Sequence, residues 1–341
     1  MSPQEYTREK YNRFELVSWT NKGHTIERKK DMMSSSQIVF FFILLPVLLI
    51  FGVADAEKGK SKEYKLVVNG IERSYILYKP LCTNSRELPL MIVLHGGLGN
   101  AKHVQEVTGM NEVAKTGKFI VAYPNGIGGR FRFTKNRRTW NAGDCCGNAV
   151  RKNVNDILFI EKLIDDIDSK FSIDTRRVYV TGMSNGAMMA YRLACEIPDK
   201  IAAIIPVAGA LTVDNFDNAK DIPVLHIHGD QDPNVPISGG KGPMSLAGVS
   251  FRPLRDTVKL ITRSRHCRTS EKKILNGGIE VSSYRCTNGA PVEIFIIKGG
   301  KHVWPGGRRR NNSSPDDQYI SASKQAWEFA KQFSKRYETK R

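Results

Sequence analysis

The 341-residue chain has no cysteines spaced C-x-x-C, and none of its six cysteines lies beside a cluster of histidines. Structural zinc sites are built from such spacings, so no metal is expected. Zinc-finger spacings and the aromatic motifs of RNA-binding sheets are missing too. The net charge of +18 is spread widely, with one dense knot at Arg308, Arg309 and Arg310, so nucleic acid is not an expected partner. Such a basic surface suits acidic polysaccharide or cell-surface glycans, or serves solubility alone. No segment repeats internally.

Long apolar runs are as scarce. There is one, IVFFFILLPVLLIFGV from Ile38 to Val53, followed by the A-x-A pattern Ala54-Asp55-Ala56. It lacks the polar face of a core helix, and Pro46 interrupts a run already short for a membrane span. The expectation is a leader and secretory signal over residues 1–56, a single folded domain over 57–341, and an extracellular protein. The polar stretch Met1–Asp31 is unusual ahead of a signal. Met32-Met33 offers a later start, and a type II membrane anchor is the alternative, with membrane contact only if the segment stays uncleaved. All six cysteines, Cys82, Cys145, Cys146, Cys195, Cys267 and Cys286, follow this segment, which in an exported chain implies disulfides. Cys267 and Cys286 flank the Gly277-Gly278 turn, read as joining a helix to a strand, and are expected to bond. Cys145 and Cys146 are poorly placed to bond each other across a trans peptide, so one is expected to reach Cys195 and one Cys82. Asn311 and Asn312 each begin an N-x-S glycosylation sequon.

What is there reads as alternating strands and helices. EYKLVVNG and ERSYILYKP, divided at Asn69-Gly70, form a hairpin signal. PLMIVLHGG, KFIVAYPNG, IAAIIPVAGA and IPVLHIHGD are apolar runs suited to strands buried on both faces. GIEVSSYRC and PVEIFIIKGG are further strands. Helical periodicity marks NDILFIEKLIDDIDSKF, with Asn155 or Asp156 as cap, and helices are expected over Thr257–Ser264 and Tyr319–Tyr337. This alternation predicts a mostly parallel sheet with helices on both faces.

Between the strand RVYVT and a helix rich in Ala, Met and Leu stands Gly182-Met183-Ser184-Asn185-Gly186, a G-x-S-x-G pattern. In a nucleophile elbow this turn exposes the serine at the top of the sheet. A serine hydroxyl needs a base, and the base an orienting acid. The order Ser, acid, His is met by Ser184, then HIHGDQDPNVP, then IIKGGKHVWPGG. Asp232 is preferred to Asp230 as the acid because it lies deeper in its loop, stiffened by Pro233. His302, in a glycine-flanked loop straight after a strand, is the expected base. His24 precedes the apolar run, His226 and His228 lie on a strand, and His103 and His266 lack a loop context. For the oxyanion, the backbone N–H of Asn185 and one from LHGGLGN are candidates, Gly97 ahead of its neighbour Leu98.

LHGGLGNA, YPNG, TWNAGDCCGNA, GMSNGAMMAYRLA, HGDQDPNVP and GGKHVWPGG together resemble the polyhydroxybutyrate depolymerase and feruloyl esterase group of secreted esterases, over about Lys65 to Gly307. The resemblance implies an α/β-hydrolase fold for 57–341, a triad of Ser184, Asp232 and His302, an oxyanion hole of Gly97 and Asn185, and Trp140 and Trp304 near the cleft. It implies ester substrates, either polyester oligomers or feruloyl and acetyl esters of polysaccharide, and no cofactor. The chain departs from the group at Asn155-Asp156, where paired acids usually precede the helix. A non-catalytic binding protein on this fold would typically lose a triad member, and a peptidase of the fold would carry a propeller or other large accessory domain; neither feature is visible.

Overall fold

The structure is a computed structural model that describes residues 59–81, 87–129, 134–287, 289–308 and 319–335. The expectations for residues 1–56, Cys82, Asn311 and Asn312 fall outside these. The chain opens with a hairpin of β1 (Lys60–Val68) and β2 (Ile71–Lys79), Val68 opposite Ile71. Its turn residues Asn69 and Gly70 have φ of 48° and 72°, the left-handed pair that a two-residue hairpin turn requires. β3 (Leu88–Leu94) is buried at every position. Leu90, Ile92 and Leu94 enter one core layer, and Met91 and Val93 the other, as strand alternation demands.

The remaining elements are α1 (Ala101–Thr108), α2 (Met110–Gly117), β4 (Ile120–Pro124), α3 (Gly147–Arg151), α4 (Asp156–Phe171), β5 (Ile173–Met183), α5 (Asn185–Glu196), β6 (Ala203–Val207), β7 (Val224–Gly229), α6 (Leu254–Arg263), β8 (Arg268–Leu275), β9 (Ile279–Arg285), β10 (Val292–Ile297) and α7 (Ala322–Ala330). The sheet runs β1-β2-β4-β3-β5-β6-β7-β10-β9-β8. From β4 to β10 neighbouring strands are parallel, and an antiparallel hairpin closes each end.

Helices cover both faces. α4, α5 and α6 pack into one layer through Phe159, Leu163, Ile167, Met188, Leu193 and Ile261. α1, α2 and α7 fill the other through Val104, Met110, Ala114, Ala326 and Trp327. Burying each large apolar side chain contributes about 1.5–3 kcal/mol, which is why the i, i+4 spacing of Phe159, Leu163 and Ile167 fixes which face of α4 turns inward. Asn155 caps α4 by accepting the N–H of Leu158. Asp156 instead goes inward, where Arg73 of β2 donates to it at 2.7 Å and the N–H of Asn141 at 2.8 Å.

Four expectations need correction. The segment before Gly277 is a strand, β8, paired with β9, so the Cys267–Cys286 disulfide closes a hairpin. Cys145 is bonded to Cys146, across a cis rather than a trans peptide, so neither reaches Cys195 or Cys82. Cys195 keeps a free thiol, half-buried against the carbonyl of Asn215, and burial pushes its pKa up to about 12. α6 starts at Leu254 rather than Thr257, and α7 is shorter than the expected span. Among the described residues no helix is long and apolar enough to cross a membrane.

Candidate active site

The candidate residues meet beyond the carboxyl ends of the parallel strands. Ser184 stands between β5 and α5 with φ 57° and ψ −121°, outside the regions a serine ordinarily occupies. Strain of this kind persists only where surroundings enforce it. Here its N–H is held by the carbonyl of Val207, and its carbonyl accepts the N–H of Met188 in α5. The flanking glycines are steric necessities. A Cβ on Gly182 would lie 2.7 Å from the Gly186 carbonyl carbon, and one on Gly186 would lie 2.6 Å from the His95 carbonyl oxygen. The pattern G-x-S-x-G is therefore what lets β5, α5 and the end of β3 touch.

Asp232 follows β7 and is buried. One carboxylate oxygen accepts the N–H groups of Asn234 (2.8 Å) and Val235 (2.9 Å); the other accepts from His302 Nδ1 at 2.7 Å. Burial alone would raise its pKa, but hydrogen bonds from His228 and His302 and the Val235 N–H outweigh it and hold the carboxyl well below the usual range. Asp230 turns away: it is exposed, and its carboxylate accepts the N–H of Gly299 at 2.6 Å, stitching the loop after β7 to the one after β10. Those loops meet backbone to backbone at Gly229 and Gly300, where any Cβ on Gly229 would collide.

Ser184 and His302 line one pocket of about 390 Å³ with Gly97, Leu98, His103, Val107, Met183 and Trp304. The Leu98 N–H is committed to the Arg138 carbonyl at 2.7 Å, whereas the Gly97 N–H has no partner among the described residues. Asn185 begins α5, so its N–H belongs to the helix's unpaired first turn. Gly97 and Asn185 thus present free donors beside the serine, while Leu98 does not.

Trp140 lies elsewhere than expected. It is fully buried and lines no part of this pocket. Its indole N–H donates to the His95 carbonyl at 2.9 Å, and its backbone exchanges two hydrogen bonds with the Asn185 side-chain amide. It clamps the His95 and Asn185 segments together and offers the pocket no wall. Trp304 does line the pocket, with its indole N–H donating to Ser323 of α7 at 3.0 Å. Sequence reasoning set aside His103 and His228; the first lines the pocket from α1, and the second lies 3.3 Å from Asp232. Their place in the sequence carried no signal, since His103 is a single histidine on a helix and His228 lies within an apolar strand. Among the described residues no cluster of three or more His, Cys, Asp or Glu side chains is placed to hold a metal ion.

A serine on a strained strand–helix turn above a mostly parallel sheet, followed in chain order by an aspartate loop and a histidine loop, defines an α/β-hydrolase. The fold is shared with an acetyl xylan esterase from Aspergillus awamori (TM-score 0.53, 15% identity, covering 72% of this chain and 95% of that one). The chain belongs to the family described as "Esterase PHB depolymerase", which matches residues 73–255, and it is a carboxylic ester hydrolase. It is 30% identical over 264 residues to NocK, a proposed esterase of Nocardia uniformis subsp. tsuyamanensis, covering 71% of this chain and 74% of that protein. Feruloyl esterase B of Piromyces equi is 28% identical over 259 residues; the match takes in 74% of this chain and 43% of that longer protein.

Proposed function

We propose that the protein is a secreted serine esterase that works through an acyl-enzyme, with Ser184 as nucleophile, His302 as general base and acid, and Asp232 as the group that orients and charges the imidazole. The observation that carries this reading is the 2.7 Å contact from His302 Nδ1 to the buried Asp232, in a loop that shares a pocket with the strained Ser184. His302 Nδ1 bears the proton given to Asp232, which leaves Nε2 free to take the serine proton as Oγ attacks the ester carbonyl. The N–H groups of Gly97 and Asn185 receive the oxyanion. His302 then returns the proton to the leaving alcohol, and a water activated the same way releases the acid. The Cys267–Cys286 disulfide supports an oxidising compartment, and with it secretion.

The substrate is an ester with a compact acyl group, feruloyl, acetyl or short hydroxyacyl, on a polymeric alcohol or oligomer. Support comes from the family's description, from the feruloyl esterase among its relatives, and from a pocket with Leu98, Val107 and Trp304 among its lining. The test is hydrolysis of p-nitrophenyl acetate, methyl ferulate and a hydroxybutyrate dimer by wild type, Ser184→Ala, Asp232→Asn and Asp230→Asn. The first two variants should lose at least about a thousandfold in kcat, and Asp230→Asn should stay near wild type. Full activity in folded Ser184→Ala, or greater harm from Asp230→Asn than from Asp232→Asn, would overturn the assignment.

A further inference from the structure

Two histidines on β7 are unused by the chemistry above, and both are buried. His226 and His228 sit two apart, so strand alternation turns them to the same face, toward α5. There they join a continuous line of hydrogen bonds. The Tyr191 hydroxyl of α5 lies 2.8 Å from His226 Nδ1, and His226 Nε2 lies 3.0 Å from His228 Nδ1. His228 Nε2 lies 2.8 Å from the Val235 carbonyl and 3.3 Å from Asp232 Oδ2.

The end of the line dictates the position of every proton in it. A carbonyl and a carboxylate can only accept, so His228 Nε2 must carry a hydrogen. In a neutral ring His228 Nδ1 is then an acceptor, which requires the hydrogen of His226 on Nε2. His226 Nδ1 accepts in turn, and the Tyr191 hydroxyl donates to it. Burial keeps His226 neutral, holding its pKa well below the ordinary histidine value. With that one arrangement every polar atom of the three rings is satisfied, as a buried network demands.

We propose that His228 is a positioning residue for catalysis: its Nε2 hydrogen, shared between the Val235 carbonyl and the Asp232 oxygen that also receives His302, steadies that carboxylate, while His226 and Tyr191 follow the tautomer set at this end and support the ring from behind. This rests on Asp232 being the acid of the triad. The carboxylate is then pinned on both oxygens, Oδ1 by the N–H groups of Asn234 and Val235 and Oδ2 by two imidazoles. The titratable groups that face it are His228 from β7 and His302 from the loop after β10, while Asp230 is turned to Gly299. Removing the His228 donor has two consequences. Asp232 can swing, which misplaces His302. Asp232 also keeps more negative charge toward the His302 ring, which moves the pH dependence of the reaction.

The experiment compares His228→Leu, His228→Gln, Tyr191→Phe and Asp232→Asn with wild type, measuring kcat and KM for p-nitrophenyl acetate from pH 5 to 9 and thermal stability. A glutamine amide reaches the Nε2 position and donates; leucine does not. His228→Leu should lower kcat about tenfold or more with KM within about twofold, and move the acid limb of kcat/KM to higher pH. His228→Gln should recover most of the rate and return the limb. Tyr191→Phe, which only strips the far end of its donor, should melt earlier yet keep kcat within about threefold. If His228→Leu fails to fold, His228→Asn replaces it, because its shorter amide stops short of Asp232. Equal losses in the leucine (or asparagine) and glutamine variants, an unmoved pH limb, or a kcat loss in Tyr191→Phe as large as in the His228 variants would overturn the proposal. A fully active Asp232→Asn would instead show that the triad assignment itself fails.

Discussion

His95 makes the protein's stability depend on pH in a calculable way. The ring is fully buried just past the end of β3. Its Nε2 accepts the Gly126 N–H at 3.0 Å, so Nδ1 carries the proton and donates to the Gly96 carbonyl at 2.8 Å. A second proton could enter only by displacing the Gly126 N–H, and burial pushes the pKa down to about 3. In the unfolded chain the same imidazole takes up its proton near pH 6.5. Between those values the unfolded state binds more protons, so stability is complete above about pH 6.5 and falls as the pH drops toward 3. At pH 5 the gap of about 1.5 pH units, at about 1.4 kcal/mol each, amounts to about 2 kcal/mol. His226 adds a loss of the same sign. The assay is urea unfolding of wild type and His95→Gln at pH 7 and pH 5. The glutamine carbonyl can accept the Gly126 N–H without titrating, although the variant loses the ring that packs on Trp140 with centroids 4.8 Å apart. It should therefore be the less stable protein at pH 7, with the difference shrinking by about 2 kcal/mol at pH 5. An unchanged difference at the two pH values would refute the reasoning, because carboxylates that titrate lower down contribute equally to both proteins.

Three more outcomes are expected. Trp140→Phe keeps the ring but leaves the His95 carbonyl without its indole donor, so it should cost about 1–3 kcal/mol in denaturant unfolding and lower kcat several-fold with KM little changed. Arg73→Met strands the buried Asp156 carboxylate and should cost about 3–5 kcal/mol by the same assay, part of it recovered when Asp156→Leu is added. Trp304→Ala should reduce kcat/KM far more for methyl ferulate or a hydroxybutyrate dimer than for p-nitrophenyl acetate, whose acetyl group is too small to use the lost wall; equal losses on all three esters would mean that Trp304 only props the His302 loop.

The parts of this protein legible in its sequence are those where one local rule dominates. Asn69-Gly70 requires left-handed backbone, β3 is apolar at every position, α4 repeats its apolar face, and Gly182 and Gly186 leave no space for a side chain. The Asp232 and His302 loops stand out because each follows an apolar strand and is marked by glycine or proline. What stayed hidden depends on long-range partners. β8, RTSEKKIL, is charged and lies at the sheet edge, so nothing in it alternates, and only its pairing with β9 makes it a strand. Trp140 could be tied to the cleft only by resemblance; its burial follows from hydrogen bonds to His95 and Asn185, 45 residues away on either side. Adjacent cysteines across a trans peptide are poorly placed to bond, and nothing in the sequence marks the Cys145–Cys146 peptide as cis. His228 was passed over because a histidine on a strand has no pattern that reveals an aspartate four residues on.

Each end of the sheet presents a strand rich in lysine and arginine. β1 carries Lys60, Lys62 and Lys65, and β8 carries Arg268, Lys272 and Lys273. An edge strand is an open template, and the apolar side chains Val67 on β1 and Ile274 on β8, 71% and 75% exposed, would reward a second copy that paired there. Two β1 edges brought together would crowd their lysines, and two β8 edges their arginine and lysines, so that like charge opposes the pairing. Solutions of this protein should therefore resist edge-to-edge association better at low ionic strength than at high, because salt screens the repulsion between like-charged edges. The charge that keeps the outermost strands soluble is thus also what opposes their pairing with a second copy.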